Sequence, residues 1–377
     1  MLLADVLAAL ERDWPARLAE PWDAVGLVVG DPADDVQHVH FAVDPVEEVV
    51  AEALAAGAQL LVTHHPLYLR GTTSVAATTP KGRVVQALAR GGCALLVAHT
   101  NADRAAHGVN AALAGLLGLQ GAVPLEPLPG EPLDRLGVYV PVADAARLRD
   151  ALHGAGAGAA GAYDSCSWSV TGEGRYRPLE GSHPAVGAHG RLEVAAEARV
   201  EVVLPRALRP QVLAAMRAAH PYEVVAHDVV ELAVEPQATG LGRVGDLPEP
   251  VRLGALAERV AQLLPATAWG VRVRGDRDRL VRRLAVCGGA GDSLLVAVAR
   301  TGADAFLTSD LRHHPAQEAA EDLALLDAAH WATEWPWLPV AAGRLADATG
   351  LATSVSRLVT DPFSPRATPD PMDRGPA

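Results

Sequence analysis

Along this chain, apolar residues arrive in short runs that stop abruptly. Residues 38–63 read "HVHFAVD", then "PVEEVVAEALAAGA", then "QLLVT". A β-branched run, an amphipathic alanine-rich stretch and a second apolar run predict a strand–helix–strand unit. The rhythm repeats with "GRVVQALARGG" before "CALLVAHT". It returns after residue 280 in "RRLAVCGGAG", "DSLLVAVARTGA", "DAFLTSD", "PAQEAAEDL" and "ALLDAAH". Both ends of the chain are therefore expected to form α/β layers. Between 134 and 245 the order changes to strand, helix, a turn-rich Gly/Ser/Tyr segment, strand, helix and strand. That order predicts a small α+β module of ferredoxin-like type inserted into the α/β domain. Proline-rich "VPLEPLPGEPLD" marks the way in and "ATGLGRVGDLPEP" the way out. The expected division is a first half of the core over 1–130, the insert over 134–245 and a second half over 246–358. The last 17 residues, 361–377, contain five prolines and little apolar content, and are expected to be a disordered tail.

Four apolar strands in the outer segments end in polar, metal-capable residues. "LLVT" ends in His64 and His65, and "ALLVA" in His99-Thr-Asn-Ala-Asp103. "AFLT" ends in Ser309-Asp310, followed by His313 and His314, and "LALLDAA" ends in His330, with Glu334 four residues on. In open α/β sheets, ligands bind outside the carboxyl ends of the strands. If the four strands are parallel neighbours, all four clusters open onto one crevice. His330 and Glu334 stand at i and i+4, so a helical turn would put both on one side. Imidazole and carboxylate donors without thiolate suit Zn, Mn, Fe, Co or Ni, with Zn the first expectation as purified. A mononuclear catalytic zinc takes about three protein ligands. His64, His65, Asp103, His330 and Glu334 make five, which suits two metal ions per chain, about 3.5–4 Å apart.

Other residues carry open alternatives. His99 is either an acid/base residue beside the metals or the cap of its turn. Asp310 and His314 either position water or substrate, or form a helix N-cap with solvated histidines, and His313 faces solvent. "CGGAGDS", Cys287 to Ser293, is either an anion cradle of backbone N–H groups or a plain tight turn. His220-Pro-Tyr-Glu223 reads as a turn and subunit contact more than as a site. Trp331, Trp335 and Trp337 read as packing or interface.

Composition narrows the classes. The net charge is −13, from 32 basic and 45 acidic side chains, and Lys81 is the only lysine. That balance argues against a nucleic-acid surface. Three well-separated cysteines argue for a reducing compartment without a disulfide framework. The N-terminus makes a poor signal peptide, and no apolar run reaches the roughly 18 residues of a membrane span. A cytoplasmic location without a membrane partner follows as the expectation.

The blocks "PWDAVGLVVG", "LLVTHHPL", "AHTNAD", "VCGGAG", "GADAFLTSDLRHH" and "DAAHWATE" resemble the signature of the Nif-three-like family of dinuclear-metal hexameric proteins. Its members are often called GTP cyclohydrolase 1 type 2 homologues. "GEGRYRPLEGSHPAVG", "RLEVAAEARVEVVLP" and "AHPYEVVAHDV" are similar to the middle domain of the longer members, so the likeness runs from about residue 1 to 358. The resemblance implies a Nif-three-like α/β core with a signalling-PII-like insert. It also implies a homohexamer with its metal sites facing an internal cavity, and His64, His65, Asp103, His330 and Glu334 as ligands. The family's WDNxGL reads Trp22-Asp23-Ala24-Val25-Gly26-Leu27 here, its TGD reads Thr308-Ser309-Asp310, and its DAGH reads Asp327-Ala328-Ala329-His330. Glycine replaced by serine or alanine narrows the permitted backbone, which bears on pocket shape and substrate. Three readings stand at this level. One is a metal-dependent hydrolase of a nucleotide-like or phosphorylated small molecule, the second a metal-handling or regulatory hexamer whose insert senses a ligand, and the third a ring scaffold stapled by its metals.

Overall fold

The structure, a computed structural model, describes residues 1–234 and 236–363. The expected tail lies outside the described residues from position 364 on. Two compact units emerge, one of Met1–Leu128 with the chain from Ala238 on, the other of Pro129–Gln237.

The first unit holds two large sheets. One has five strands in the order Gly26–Val29, Ala94–Val97, Leu60–Thr63, His38–Ala42 and Ala352–Val355. The last four run parallel, and the first is antiparallel to its neighbour. Leu60–Thr63 and Ala94–Val97 are buried throughout, as expected of parallel strands covered on both faces. Leu60 and Val62 join the core between the sheets, whereas Leu61 and Leu95 pack beneath helices Glu47–Ala55 and Pro80–Gly91. This is the alternation that a strand's period of two demands. Helix Pro80–Gly91 has strong boundaries. The Thr79 hydroxyl accepts from the Gly82 N–H at 3.1 Å, Pro80 opens the first turn, and Gly92 closes it in the left-handed region at φ +66°.

The second sheet orders Val271–Arg274, Ala324–Ala328, Ala305–Ser309, Leu280–Ala290, Arg243–Arg252 and Gln120–Val123. Its three strands Leu280–Ala290, Ala305–Ser309 and Ala324–Ala328 are parallel. One apolar cluster, including Phe41, Leu113, Leu256, Leu307 and Trp337, fills the space between the two sheets. The four strand ends of interest are therefore two pairs of parallel neighbours in separate sheets, rather than four neighbours in one. Local periodicity identifies strands, but partners are set by packing over hundreds of residues.

The second unit threads strand Leu133–Pro141, helix Ala145–Gly154, strands Trp168–Tyr176 and Glu193–Pro205, helix Arg209–Ala219 and strand His227–Glu231. In the sheet the fourth strand lies beside the first, then the third, then the second, all antiparallel. Val138, Leu148, Val200, Val212 and Met216 sit at its own core.

The way out of this unit falls earlier than the turn residues suggested. Arg243–Arg252, within the stretch expected as a linker, is a strand of the first unit paired with Leu280–Ala290. Its prolines, Pro248 and Pro250, sit where the pairing register breaks between Asp246 and Val251, the one place a sheet tolerates them. Arg243 itself is buried, and its guanidinium donates to the carbonyls of Gly240, Gly242 and Ala105 at 2.6–2.7 Å. No helix among the described residues is long and apolar enough to cross a membrane.

Arg243→Met should leave those buried carbonyls without donors, each costing about 1–3 kcal/mol. The expected outcome is a urea midpoint clearly below wild type, and a wild-type midpoint would refute the role.

Candidate metal centre

Each side chain of the centre is aimed by the end of a strand. Past Thr63 the backbone stays in the ladder, with the His64 N–H on the Ala42 carbonyl at 3.1 Å and the His65 N–H on the Val43 carbonyl at 2.8 Å. The neighbouring strand continues through Ala98 to His99, which precedes the short helix Thr100–Arg104 carrying Asp103. From the second sheet, Ala305–Ser309 ends at Asp310 and Ala324–Ala328 leads into helix His330–Glu334.

Four imidazoles are held in the same way. The Nδ1 of His64 meets the Ala98 carbonyl at 2.9 Å, and that of His65 meets Asp44 Oδ1 at 2.6 Å. The Nδ1 of His99 meets Asp23 Oδ1 at 2.8 Å, and that of His330 meets Asp310 Oδ2 at 2.6 Å. Every partner is an acceptor, so each ring carries a proton on Nδ1 and turns Nε2 toward the site, where a ring without a second proton offers its lone pair. A metal-binding histidine is oriented by this arrangement. Three of the Nε2 atoms then converge on Glu334. His330 lies 2.9 Å and His64 3.3 Å from Oε1, and His65 lies 3.0 Å from Oε2. Asp103 Oδ1 is 3.8 Å from His64 Nε2.

These contacts are short but incomplete. His64 Nε2, Asp103 Oδ1 and Glu334 Oε2 are buried and make no hydrogen bond, and such orphaned atoms are rare and costly in a folded chain. Cations bound beside these atoms would satisfy them. The residues present therefore fit a metal ion. Two groups close tightly enough to share one, His64 with His65 and His99, and His65 with His330 and Glu334.

Electrostatics tell the same story. Burial raises Glu334, yet the three histidines outweigh it and hold the carboxylate well below its ordinary range. Burial lowers His65, but Glu334 and Asp44 lift it to about 10. His330, drawn up chiefly by the Glu334 charge against its burial, reaches about 11. His64 rises for the same reason, against the burial that lowers it. Burial pushes Asp103 up to about 6. His99 falls to about 4 through burial and the nearby His64 charge, despite its bond to Asp23.

The surroundings leave little slack. Gly289 lies at φ +69°, and a Cβ there would stand 2.6 Å from Glu334 Oε1, so the site's floor must be glycine. The Gly288 and Gly289 N–H groups donate to Asn110 Oδ1 and Thr333 Oγ1, which commits these amides of the "CGGAGDS" loop internally and leaves them unable to cradle an anion. Asn110 also donates to the Asp103 carbonyl at 2.9 Å. Asp310 stands at φ +56°, a conformation aspartate tolerates better than most residues, and from there it reaches the His330 ring.

Of the residues singled out by sequence, His64, His65, His99, Asp103, Asp310, His330 and Glu334 come together. His314 does not. It and His313 are exposed at the start of helix His313–Glu318 and face each other. Among the described residues neither forms a hydrogen bond or ion pair with the cluster. His220 is nearly buried in the other unit, bonded to the Tyr139 carbonyl and the Tyr222 N–H. Trp337 is fully buried against Trp14 and His64, while Trp335 donates to the Ser356 carbonyl. Sequence reasoning passed over Asp44, although it follows strand His38–Ala42 as the other candidates follow theirs.

A chain with two such sheets and a convergent histidine–carboxylate cluster is an α/β protein able to hold a metal ion. Residues 1–362 match the family model described as Duf34/NIF3 (NGG1p interacting factor 3), and the chain belongs to that family. It is 50% identical over 367 residues to a Mycobacterium tuberculosis protein named GTP cyclohydrolase 1 type 2 homolog, covering 96% of each. A Bacillus subtilis protein of the same name is 36% identical, covering 87% of each. Among solved structures, a Bacillus cereus protein related to NIF3 matches at TM-score 0.72 and 36% identity, covering 97% of this chain and 99% of that one. A Staphylococcus aureus protein matches at TM-score 0.80 and 26% identity, covering 97% and 98%.

Two outcomes follow from the electrostatics. His65 and His330 hold protons at neutral pH in the metal-free chain, so metal loading at pH 7.5 must expel them. Calorimetry in buffers of differing ionisation enthalpy should show more than one proton released per chain, and none released would contradict the raised values. The raised histidine pKa values also set a sign for stability. Their contribution is complete below the ordinary histidine value of 6.5 and is lost as pH climbs through about 10 to 11. Chelated protein should therefore melt at progressively lower temperature from pH 6.5 to 9.5, and metal-loaded protein should lack that slope. The lowered Glu334 is the other side of the same coupling; its contribution is complete above the ordinary carboxylate range and is lost only as pH falls below it, outside this window.

Proposed function

We propose that the cluster holds two divalent cations, Zn first among Zn, Mn, Fe, Co and Ni, and that the chain is a metal-dependent hydrolase. Its substrate would be a nucleotide-like or phosphorylated small molecule, in keeping with the GTP cyclohydrolase 1 type 2 homolog name its relatives carry. The observation that carries the reading is the set of four Nδ1-anchored imidazoles, three of which bring Nε2 to a buried carboxylate. His64, His65, Asp103, His330 and Glu334 would be the ligands. Bound there, two cations supply Lewis acidity and bring the pKa of a water toward neutrality.

The chain's own residues would do the rest. His99, neutral at physiological pH and fixed by Asp23, offers Nε2 as a proton acceptor beside His64 and His65. Asp310 and Asp44 hold the His330 and His65 rings in register. Trp22 is 61% exposed and stands edge-on to His99, with ring centroids 6.1 Å apart, so it offers an aromatic surface to a base. A homohexamer in the cytoplasm completes the reading, supported by the family resemblance and by three free cysteines.

Elemental analysis of wild type and Glu334→Gln decides between the readings. About two divalent ions per chain, lost in the variant together with turnover on nucleotide and phosphoester panels, is the expected result. Two ions without turnover would favour metal handling or regulation. No ion in protein purified without chelator would refute the centre itself. Light scattering should give six chains per particle.

A further inference from the structure

Two sequence blocks of the 129–237 unit play no part in the core chemistry: "GEGRYRPLEGSHPAVG" and the segment around His220-Pro-Tyr-Glu223. In the structure they wall a single cavity of about 360 Å³ within that unit. A Cβ on Gly174 would stand 2.2 Å from Glu197 Oε2. The missing side chain therefore lets the Glu197 carboxylate lie across the neighbouring strand and onto the cavity wall. Tyr176 and Tyr222 line the same space with their rings edge to face, centroids 5.9 Å apart. His220 packs on Tyr222 and accepts its N–H, which fixes the ring's position.

The polar groups here are under-used. The Tyr222 hydroxyl is buried and completes no hydrogen bond, although Glu197 and Tyr176 lie beside it. Burial raises its pKa, so it stays a neutral O–H. Glu197 forms no ion pair among the described residues. Glu223, also on the wall, accepts the His183 N–H at 3.0 Å. Among the described residues of the wall, two carboxylates thus face the cavity while its one guanidinium, Arg175, is paired with Glu173. The groups that close tightly around a single ion both lie in the core, so this more open arrangement suits a molecule rather than a metal.

We propose that this cavity binds a small organic cation, an ammonium or guanidinium on an aliphatic body, with Glu197 as its counter-ion and Tyr176 and Tyr222 as its aromatic wall. The carboxylate supplies a charge-assisted hydrogen bond, and the ring faces attract the cation through their quadrupoles. The Tyr222 oxygen can accept an N–H from the ligand while its proton turns to Glu197, which satisfies the orphaned hydroxyl. The site is independent of the core, and its chemistry does not rest on the hydrolase reading.

Titration calorimetry of the full chain with agmatine tests this, with glutarate as the anionic comparison. Agmatine should bind once per chain, equally with and without chelator, and glutarate should not bind. Glu197→Gln should weaken binding about tenfold or more, and Tyr222→Phe should weaken it less. Melting curves report whether each variant folds. If Glu197→Gln melts early, the Tyr222→Phe result decides, and agmatine affinity unchanged in that folded variant counts against the site. Absence of agmatine binding, wild-type affinity in a folded Glu197→Gln, preference for glutarate, or binding abolished by chelation would each overturn the proposal.

Discussion

A carboxylate buried at 3% exposure, Glu334, must be met by positive charge. Everything around it follows from that need. An isolated ion at such a position would neutralise itself, but three imidazole nitrogens lie within 3.3 Å. In the metal-free chain, protons on His65 and His330 supply the charge, with the two rings only 5.3 Å apart. That is a crowded solution. A divalent cation in place of those two protons would keep the charge balance, and it would also occupy orphaned Nε2 and carboxylate atoms. Folding and metal binding would be coupled at such a site because both answer the same electrostatic demand.

The demand also joins distant parts of the chain. Glu334 and His330 come from the second sheet, and His64, His65, His99 and Asp103 from the first, with the 129–237 unit between them in sequence. Asn110 spans the same divide, holding the Asp103 carbonyl with its amide and the Gly288 N–H with its oxygen. Gly289 lets that backbone approach the carboxylate. The register between Leu280–Ala290 and Ala305–Ser309 breaks between Val286 and Ala290, at the pair of glycines that forms the floor. A local irregularity in a strand is thus the means by which the two halves meet.

Much of the centre was legible because its logic is local. A buried strand that ends in histidine announces itself in "LLVTHH", and the i, i+4 spacing of His330 and Glu334 needs only one helical turn. What stayed hidden depends on long-range pairing. No spacing says that the four strand ends belong to two sheets, that Asp23 reaches His99 across 76 positions, or that Asp44 anchors His65. Arg243–Arg252 was hidden for another reason. Its glycine and prolines spell a linker, and only the sheet shows that the prolines fall at its bulge.

The departures from the family pattern can be judged on the same terms. A serine where glycine is usual would strain a left-handed backbone, but the positive φ lies at Asp310 and not at Ser309. The Ser309 hydroxyl instead meets Thr333 Oγ1 at 3.0 Å, and Thr333 is the residue that holds the Gly289 N–H and the His330 carbonyl. Ala329 has φ −68° and ψ 137°, ordinary for any residue, and its methyl is buried in the shared core. Neither substitution costs backbone strain, and the serine adds a bond beneath the site. At Ala24 the family's amide is absent, yet Asp23 keeps its hold on His99, on the Thr100 hydroxyl and on the Thr100 N–H. The ligand geometry is therefore insulated from all three changes. Any effect they have falls on what approaches the histidine–carboxylate cluster from the side of Trp22 and Ala24, which is where a substrate would be distinguished.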